Sequence, residues 1–196
     1  MPAYQQARRQ RIVDAATRLL YRDDFDNIQI REVAEEAGVA LGTLYRYFSS
    51  KEHLYGAVLL NWAEPFVRGA DTEGGAGNVQ ERLRRRMASA IAAFERRPQF
   101  YRVQFELTSS ADPNARRAME EFGERNIDAV RREMHGMTDE VADDMTTLIF
   151  AVLTYQLTAV VFRGLPVEDA YRVMDRTIDL IAQFADPRPE RGPSSR

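Results

Sequence analysis

The sequence predicts an all-α protein: an N-terminal three-helix unit with a helix-turn-helix, followed by a larger C-terminal helical domain. Three observations predict it. Apolar residues recur at spacings of three and four rather than two. No run of β-type alternation interrupts them. Capping residues, glycines and prolines fall where helices start and stop.

Taken in order, Ile12, Ala15, Ala16, Leu19 and Leu20 lie on one helical face and predict a first helix over Tyr4 to Arg22, with its arginines on the polar side. A short helix is predicted over 30–37, stopped by Gly38, and another from Leu41 to Phe48. Ser49 with Glu52 three residues later reads as a capping box for a long fourth helix that passes Trp62 toward Val67. The glycine-rich stretch Asp71 to Asn78 is expected to be a loop. Asn78 and Glu81 repeat the capping pattern for a helix reaching Arg97. Pro98, Pro113 and Pro166 suit the openings of helices over 98–109, 113–134 and 166–185, since a first-turn N–H has no partner to lose. Asp112 is a good cap before Pro113, a helix is predicted over 138–163, and Gly164 stops it. Residues 186–196, rich in proline and serine, are expected to form a disordered tail. The resulting domains are 1–50, 51–185 and that tail.

The 196 residues suffice for one compact domain or a small module fused to a larger one. The absence of cysteine removes disulfides, thiolate zinc sites and cysteine nucleophiles, and fits a reducing cytoplasm. Only His53 and His135 are available as imidazole ligands, and no Glu-x-x-His pair repeats. No Gly-x-Ser-x-Gly elbow is present, and Gly74 and Gly75 lack the Lys-Ser/Thr of a phosphate loop. No enzyme, metal or cofactor is therefore expected. The most apolar run, Leu148 to Phe162, contains Thr154, Gln156 and Thr158 and is too short to span a bilayer comfortably, and the start of the chain is polar and basic rather than secretory. The net charge of −3 hides a local pattern. Arg8, Arg9, Arg11, Arg18 and Arg22 face only Asp14 in the first 22 residues, and Arg46 and Lys51 lie in an acid-free stretch.

Residues 28–54, IQIREVAEEAGVALGTLYRYFSSKEHL, place two short helices around a glycine-containing turn. Val33, Ala34 and Ala37 are expected to pack against Leu44 and against Ile12, Ala16 and Leu19. The second short helix then offers Leu41, Thr43, Tyr45, Arg46 and Tyr47, and its N-terminal end fits a DNA major groove. Direct base contact is assigned to Arg46 or Arg31, with Leu41 as an apolar contact.

The string AGVALGTLYRYFSSK resembles the TetR family signature A-G-V-S-x-G-T-L-Y-x-Y-F-x-x-K, over roughly the first quarter of the chain. The shorter VALGTLYRYF is similar to actinobacterial members that govern sterol and lipid breakdown. The resemblance implies a homodimeric repressor of operator DNA, released by a small molecule. It also implies that Gly42 permits close approach to DNA, that Thr43 and Tyr47 contact phosphates, that Tyr45 packs or contacts the backbone, and that Lys51 binds phosphate at a helix start. Hydroxyls and helix N-termini suit phosphate on physical grounds as well. Two departures stand out. Ala40 replaces the serine that usually caps the recognition helix, and Gln29 replaces a threonine or serine cap, each change typically costing about 0.5–2 kcal/mol. Asp24 replaces a common glycine and is expected to tolerate the left-handed region. These departures, with Asp23 and Asp26, support an alternative: a helical interaction module that has lost specific DNA binding.

In the C-terminal half, Met145, Leu148, Ile149, Val152, Leu153, Gln156, Val160 and Val161 on one helix, and Ala170, Val173, Met174, Thr177, Ile178, Ile181 and Phe184 on the next, cover more than one apolar stripe. The resemblance implies that these helices pair with their symmetry mates, making a palindromic operator the expected DNA partner. Trp62, Phe66, Phe94, Tyr101, Phe105, Phe122 and Tyr155 are the candidate lining of a pocket for an apolar or amphipathic effector, with Met87 and the polar Gln104, Glu106 and His135 nearby. Arg102 is the candidate receiver of a carboxylate or phosphate. Arg82, Arg84, Arg85 and Arg86 are expected to form a solvated face. The protein is expected in the cytoplasm, nucleoid-associated when bound to DNA, with no membrane partner.

Overall fold

Ile12, Ala15, Ala16 and Leu20 are wholly buried because α1 (Ala3–Leu20) lies across the helices that follow it and turns Arg11 and Arg18 outward. In the computed structural model, which describes residues 2–72, 77–135 and 137–185, the chain continues through α2 (Ile30–Glu36) and α3 (Leu41–Tyr47). Then come α4 (Lys51–Thr72), α5 (Val79–Arg96), α6 (Pro98–Thr108), α7 (Pro113–Arg132), α8 (Asp139–Arg163) and α9 (Val167–Ala185). No strand accompanies these helices among the described residues. The expected tail and residues 73–76 of the expected loop lie outside those described.

Gly38 ends the α2 turn with φ +64°, where Val39 N–H donates back to the Ala34 carbonyl at 2.9 Å. Asp24 needs no such conformation, because every described residue other than glycine has negative φ. Val33, Ala34, Leu44 and Phe48 close over Ile12 and Ala16, and Leu54, Tyr55 and Val58 of α4 complete the same core. The head is therefore built partly from the first turns of α4. Glu32 accepts the Gln29 N–H at 2.9 Å and supplies one half of a cap, whereas Ala40 supplies no side-chain cap to α3.

The start of α4 differs from the expected capping box. Ser50, not Ser49, caps it, its hydroxyl accepting the His53 N–H at 2.9 Å. Because the helix opens at Lys51, its third residue is His53, and the ring Nδ1 accepts the Ser49 N–H at 3.1 Å in the place predicted for Glu52. The helix also runs past Val67 to Thr72 with Pro65 inside it, where the ring forfeits a backbone donor. Further along, Asn78 and Glu81 form the expected reciprocal cap. Asp112 accepts from Asn114 N–H and Ala115 N–H at 2.7 and 3.0 Å, and Gly164 stops α8 at φ +69°.

The larger domain is organised by α4, which packs chiefly against α7, while α5 and α8 both pack on α9. Gly56 allows the α4–α7 crossing: a Cβ at that position would stand 2.7 Å from Ala118 Cβ. Ala170, Met174, Ile178 and Ile181 bury one side of α9. Leu180 on its other side is 62% exposed and Tyr155 of α8 is 59% exposed, with Leu148, Phe162 and Leu165 also open. By length and composition α8 is also apolar enough to cross a membrane, since the helix extends well beyond the run from Leu148 to Phe162; one third of its most apolar window is buried inside the chain.

Candidate nucleic-acid interface and effector cavity

Helix α3 is anchored by Leu44, with Leu41, Thr43 and Tyr47 partly buried. The residues between these anchors face out. Ala40, Gly42, Tyr45 and Arg46 are exposed, and Arg31 of α2 is exposed as well. Neither Arg31 nor Arg46 is paired with a carboxylate among the described residues, so both guanidinium groups are available to an anion or a base edge. Phe48 belongs to the core, with the Arg9 guanidinium over its ring at 4.9 Å.

The basic flank of α1 is only partly open. Arg18 pairs with Glu36 at 2.8 Å and Arg22 reaches it at 3.9 Å, which ties α1 to α2. The hydrogen bond from Arg18 holds the Glu36 carboxyl below its ordinary value. Lys51 is also engaged: its ammonium donates to the Phe25 carbonyl, lies 3.5 Å from the Asp26 carbonyl, and sits 4.2 Å over the Phe25 ring. Burial lowers its pKa, against Asp26, Glu52 and Glu32, which raise it. In the free protein this side chain fastens the α1–α2 turn to the start of α4.

Behind the head, α4–α8 line a partly open cavity of about 540 Å³, within the usual range of about 300–1,000 Å³ for small-molecule pockets. Phe66, Phe94, Tyr101 and Phe122 line it, with Met87 and Gln104, as do Met119, Phe150, Leu153 and Leu157. The Tyr101 hydroxyl lies 2.9 Å from Thr158 Oγ1 and 3.0 Å from the Thr154 carbonyl. Burial raises its pKa, and the Thr158 contact lowers it by less.

The other four candidates lie elsewhere. Trp62 is one layer back, stacked on Phe100 at 4.6 Å and against Phe94 at 5.0 Å. Phe105 is 51% exposed and meets Phe162 at 5.0 Å, because α6 turns that side away from the cavity. Arg102 follows it outward, 3.4 Å from the Val161 carbonyl and 5.4 Å from the Phe162 ring. Tyr155 lies on the open face of α8 beneath Arg163. Glu106 and His135 are exposed and line no part of this cavity.

The arginine run of α5 also departs from expectation. Arg84 does face out, paired with Asp175 and Asp179 of α9. Arg82 and Arg86 instead turn inward to Glu133 and line the cavity. Arg85, though exposed, also borders the cavity, and the spacing of four between Arg82 and Arg86, adjoining the buried positions Leu83 and Met87, is the signal that marks the two members of the run with buried side chains.

Residues 12–58 match the family model of bacterial regulatory proteins, tetR family. Across 189 residues the chain is 30% identical to the HTH-type transcriptional repressor KstR of Rhodococcus jostii (strain RHA1), covering 95% of this chain and 88% of the relative. A stretch of 50 residues is 50% identical to KstR of Mycobacterium tuberculosis (strain ATCC 25618 / H37Rv), covering 26% of this chain and 23% of that one. Among solved structures, a TetR transcriptional regulator from Rhodococcus sp. RHA1 superposes with a TM-score of 0.74 at 26% identity, over 91% of this chain and 97% of that one. FadR from Bacillus subtilis, in complex with stearoyl-CoA, shares the fold at 18% identity and a TM-score of 0.67, over 88% and 96% of the two chains. With a repressor similar over nearly its whole length and a reading head of matching sequence, the chain belongs to the TetR family of transcriptional regulators.

Proposed function

We propose that the chain is a repressor that binds a palindromic operator as a homodimer and leaves it when an apolar or amphipathic effector enters the cavity. One observation carries the reading: α4 is part of the head at Lys51 and Leu54 and part of the cavity wall at Phe66, so one continuous helix joins both sites. On the DNA, Arg46 or Arg31 contacts bases with Leu41 beside them. Gly42 allows close approach, Thr43 and Tyr47 meet phosphates, Tyr45 packs or meets the backbone, and Ala40 leaves the helix N-terminus open. Lys51 approaches phosphate from the start of α4 by leaving its carbonyl partners. The site of action is the cytoplasm.

The open apolar faces of α8 and α9 support the dimer. A twofold axis through them would set two recognition helices one turn of DNA, about 34 Å, or a little more apart. An effector that favours a splayed head by about 100-fold shifts the equilibrium by roughly 2.7 kcal/mol. FadR of Bacillus subtilis shows that this fold accommodates an acyl-CoA.

Selection of sites from a random duplex pool by purified protein tests the proposal, followed by titration of binding against salt. A palindrome with steeply salt-dependent affinity is the expected result. Uniformly weak binding without a motif would leave the interaction-module reading in its place.

A further inference from the structure

One end of the apolar cavity is charged. Arg82 and Arg86 stand one turn apart on α5, with side chains 7% and 8% exposed, and both meet Glu133 just past the end of α7. Every nitrogen of Arg82 donates a hydrogen bond. Its Nη1 donates to the Gly77 carbonyl at 2.6 Å, its Nη2 and Nε donate to the Glu133 carbonyl at 2.7 and 3.3 Å, and Nε lies 3.5 Å from Glu133 Oε2.

In Arg86 one nitrogen does not. Its Nε donates to Glu133 Oε1 at 2.9 Å and its Nη1 to the Phe66 carbonyl at 3.1 Å. Its Nη2 lies 2.8 Å from the same Oε1 yet makes no aligned hydrogen bond and is shielded from solvent. Glu133 supplies the sole carboxylate among the described residues lining the cavity, so two buried guanidinium groups share one negative charge. A buried charge is costly unless paired and hydrogen-bonded, and a spare donor in an apolar wall selects an acceptor. Gln104 Oε1, in the same lining, is also buried without a donor.

We propose that the effector is an amphipathic anion: an apolar body within the aromatic cage and one acidic head group hydrogen-bonded to Arg86, sharing that arginine with Glu133. This rests on the effector reading above and narrows it to acids. The neutral alcohol, amide or ester of the same skeleton is then a poor ligand.

N-phenyl-1-naphthylamine and its 8-sulfonate test it, since they share one apolar skeleton and differ by a single anionic group. The full chain is titrated with each by dye fluorescence. The sulfonate is expected to bind about tenfold more tightly, the size of one charge-assisted hydrogen bond. Arg86→Met should erase that ratio by weakening the sulfonate far more than the neutral dye, Arg86→Lys should keep part of it, and Glu133→Gln should enlarge it. If Arg86→Met does not fold, the last two variants decide.

Equal binding of the two dyes to the wild type, or a ratio untouched by these substitutions, overturns the anion proposal while the cavity survives as an effector site. If neither dye binds, the effector reading falls with it.

Discussion

The Ser49 hydroxyl donates to Asp112 Oδ2 at 3.0 Å, joining the residue just past the recognition helix to the N-cap of α7 across 63 positions of sequence. Asn114 Nδ2 donates to the same Ser49 oxygen at 3.0 Å. The head thus rests on the end of a helix whose later residues, Met119 and Phe122, line the cavity. Asp112→Ala removes both the cap and this link. It is expected to cost about 1 kcal/mol in urea denaturation, and Ser49→Ala is expected to cost less, because the cap bonds to Asn114 and Ala115 survive it.

The same carboxylate titrates far from its ordinary value. Burial raises its pKa, but hydrogen bonds from Ala115, Ser50, Ser49 and Asn114 outweigh that and hold it at about 2, against 3.8 when unperturbed. Its contribution to stability is present above the unperturbed value. As the pH falls toward 2 the unfolded chain takes up the proton first, and that contribution is lost. Asp112→Asn keeps a capping side chain without the charge, so its urea midpoint should fall less than that of the wild type across this window. Parallel curves would show that Asp112 is not the group responsible.

Gly56→Ala sets helix propensity against packing. Alanine gains about 1 kcal/mol in a helix interior, but its methyl would meet Ala118 Cβ at 2.7 Å, and neither atom can rotate away. Overpacking costs about 1–3 kcal/mol, so net destabilisation of about 1 kcal/mol is expected in chemical denaturation. An unchanged or raised midpoint would mean that α4 and α7 separate freely.

Leu180→Arg probes the proposed dimer. The side chain is largely exposed in the single chain, so the fold should survive, and circular dichroism checks that it does. Sedimentation should then show half the wild-type mass, accompanied by loss of operator affinity. A dimer that tolerates the charge would exclude the α9 face as the interface.

On the reading head, Arg46→Ala is expected to lose about 1–3 kcal/mol of operator affinity and to relax preference at one position, with little change in thermal stability. Lys51→Ala should differ in kind. It flattens the salt dependence of DNA binding and also lowers the melting temperature, since the same ammonium holds the Phe25 and Asp26 carbonyls. A Lys51→Ala protein with wild-type melting would remove the fastening role.

The helices and the reading head were legible because their signals are local. Periodicity, Asn78 with Glu81, Asp112 before Pro113, and the glycines at 38 and 164 each act within a turn or two of chain. The cavity was only half legible. Phe66, Phe94, Tyr101 and Phe122 differ from Phe105 and Tyr155 only in the side of the helix they occupy once α6 and α8 have docked, and composition does not encode docking. Arg82 and Arg86 looked like solvent-facing charges because their counter-ion, Glu133, lies some fifty residues downstream. The Ser49 cap was misplaced by one residue for a smaller reason: two adjacent serines compete for one N-terminus, and the start of the helix at Lys51 decides between them.

Trp62 is the sole tryptophan of the chain, held between Phe94 of the cavity wall and Phe100, whose ring lies 5.5 Å from Tyr21 at the end of the first helix. Any guest that displaces Phe94 or Phe66 must alter the surroundings of that indole. The protein therefore carries an intrinsic optical reporter set between the cavity wall and the N-terminal helix, and compound libraries can be screened for occupants of that cavity, on the unlabelled molecule, by its own emission.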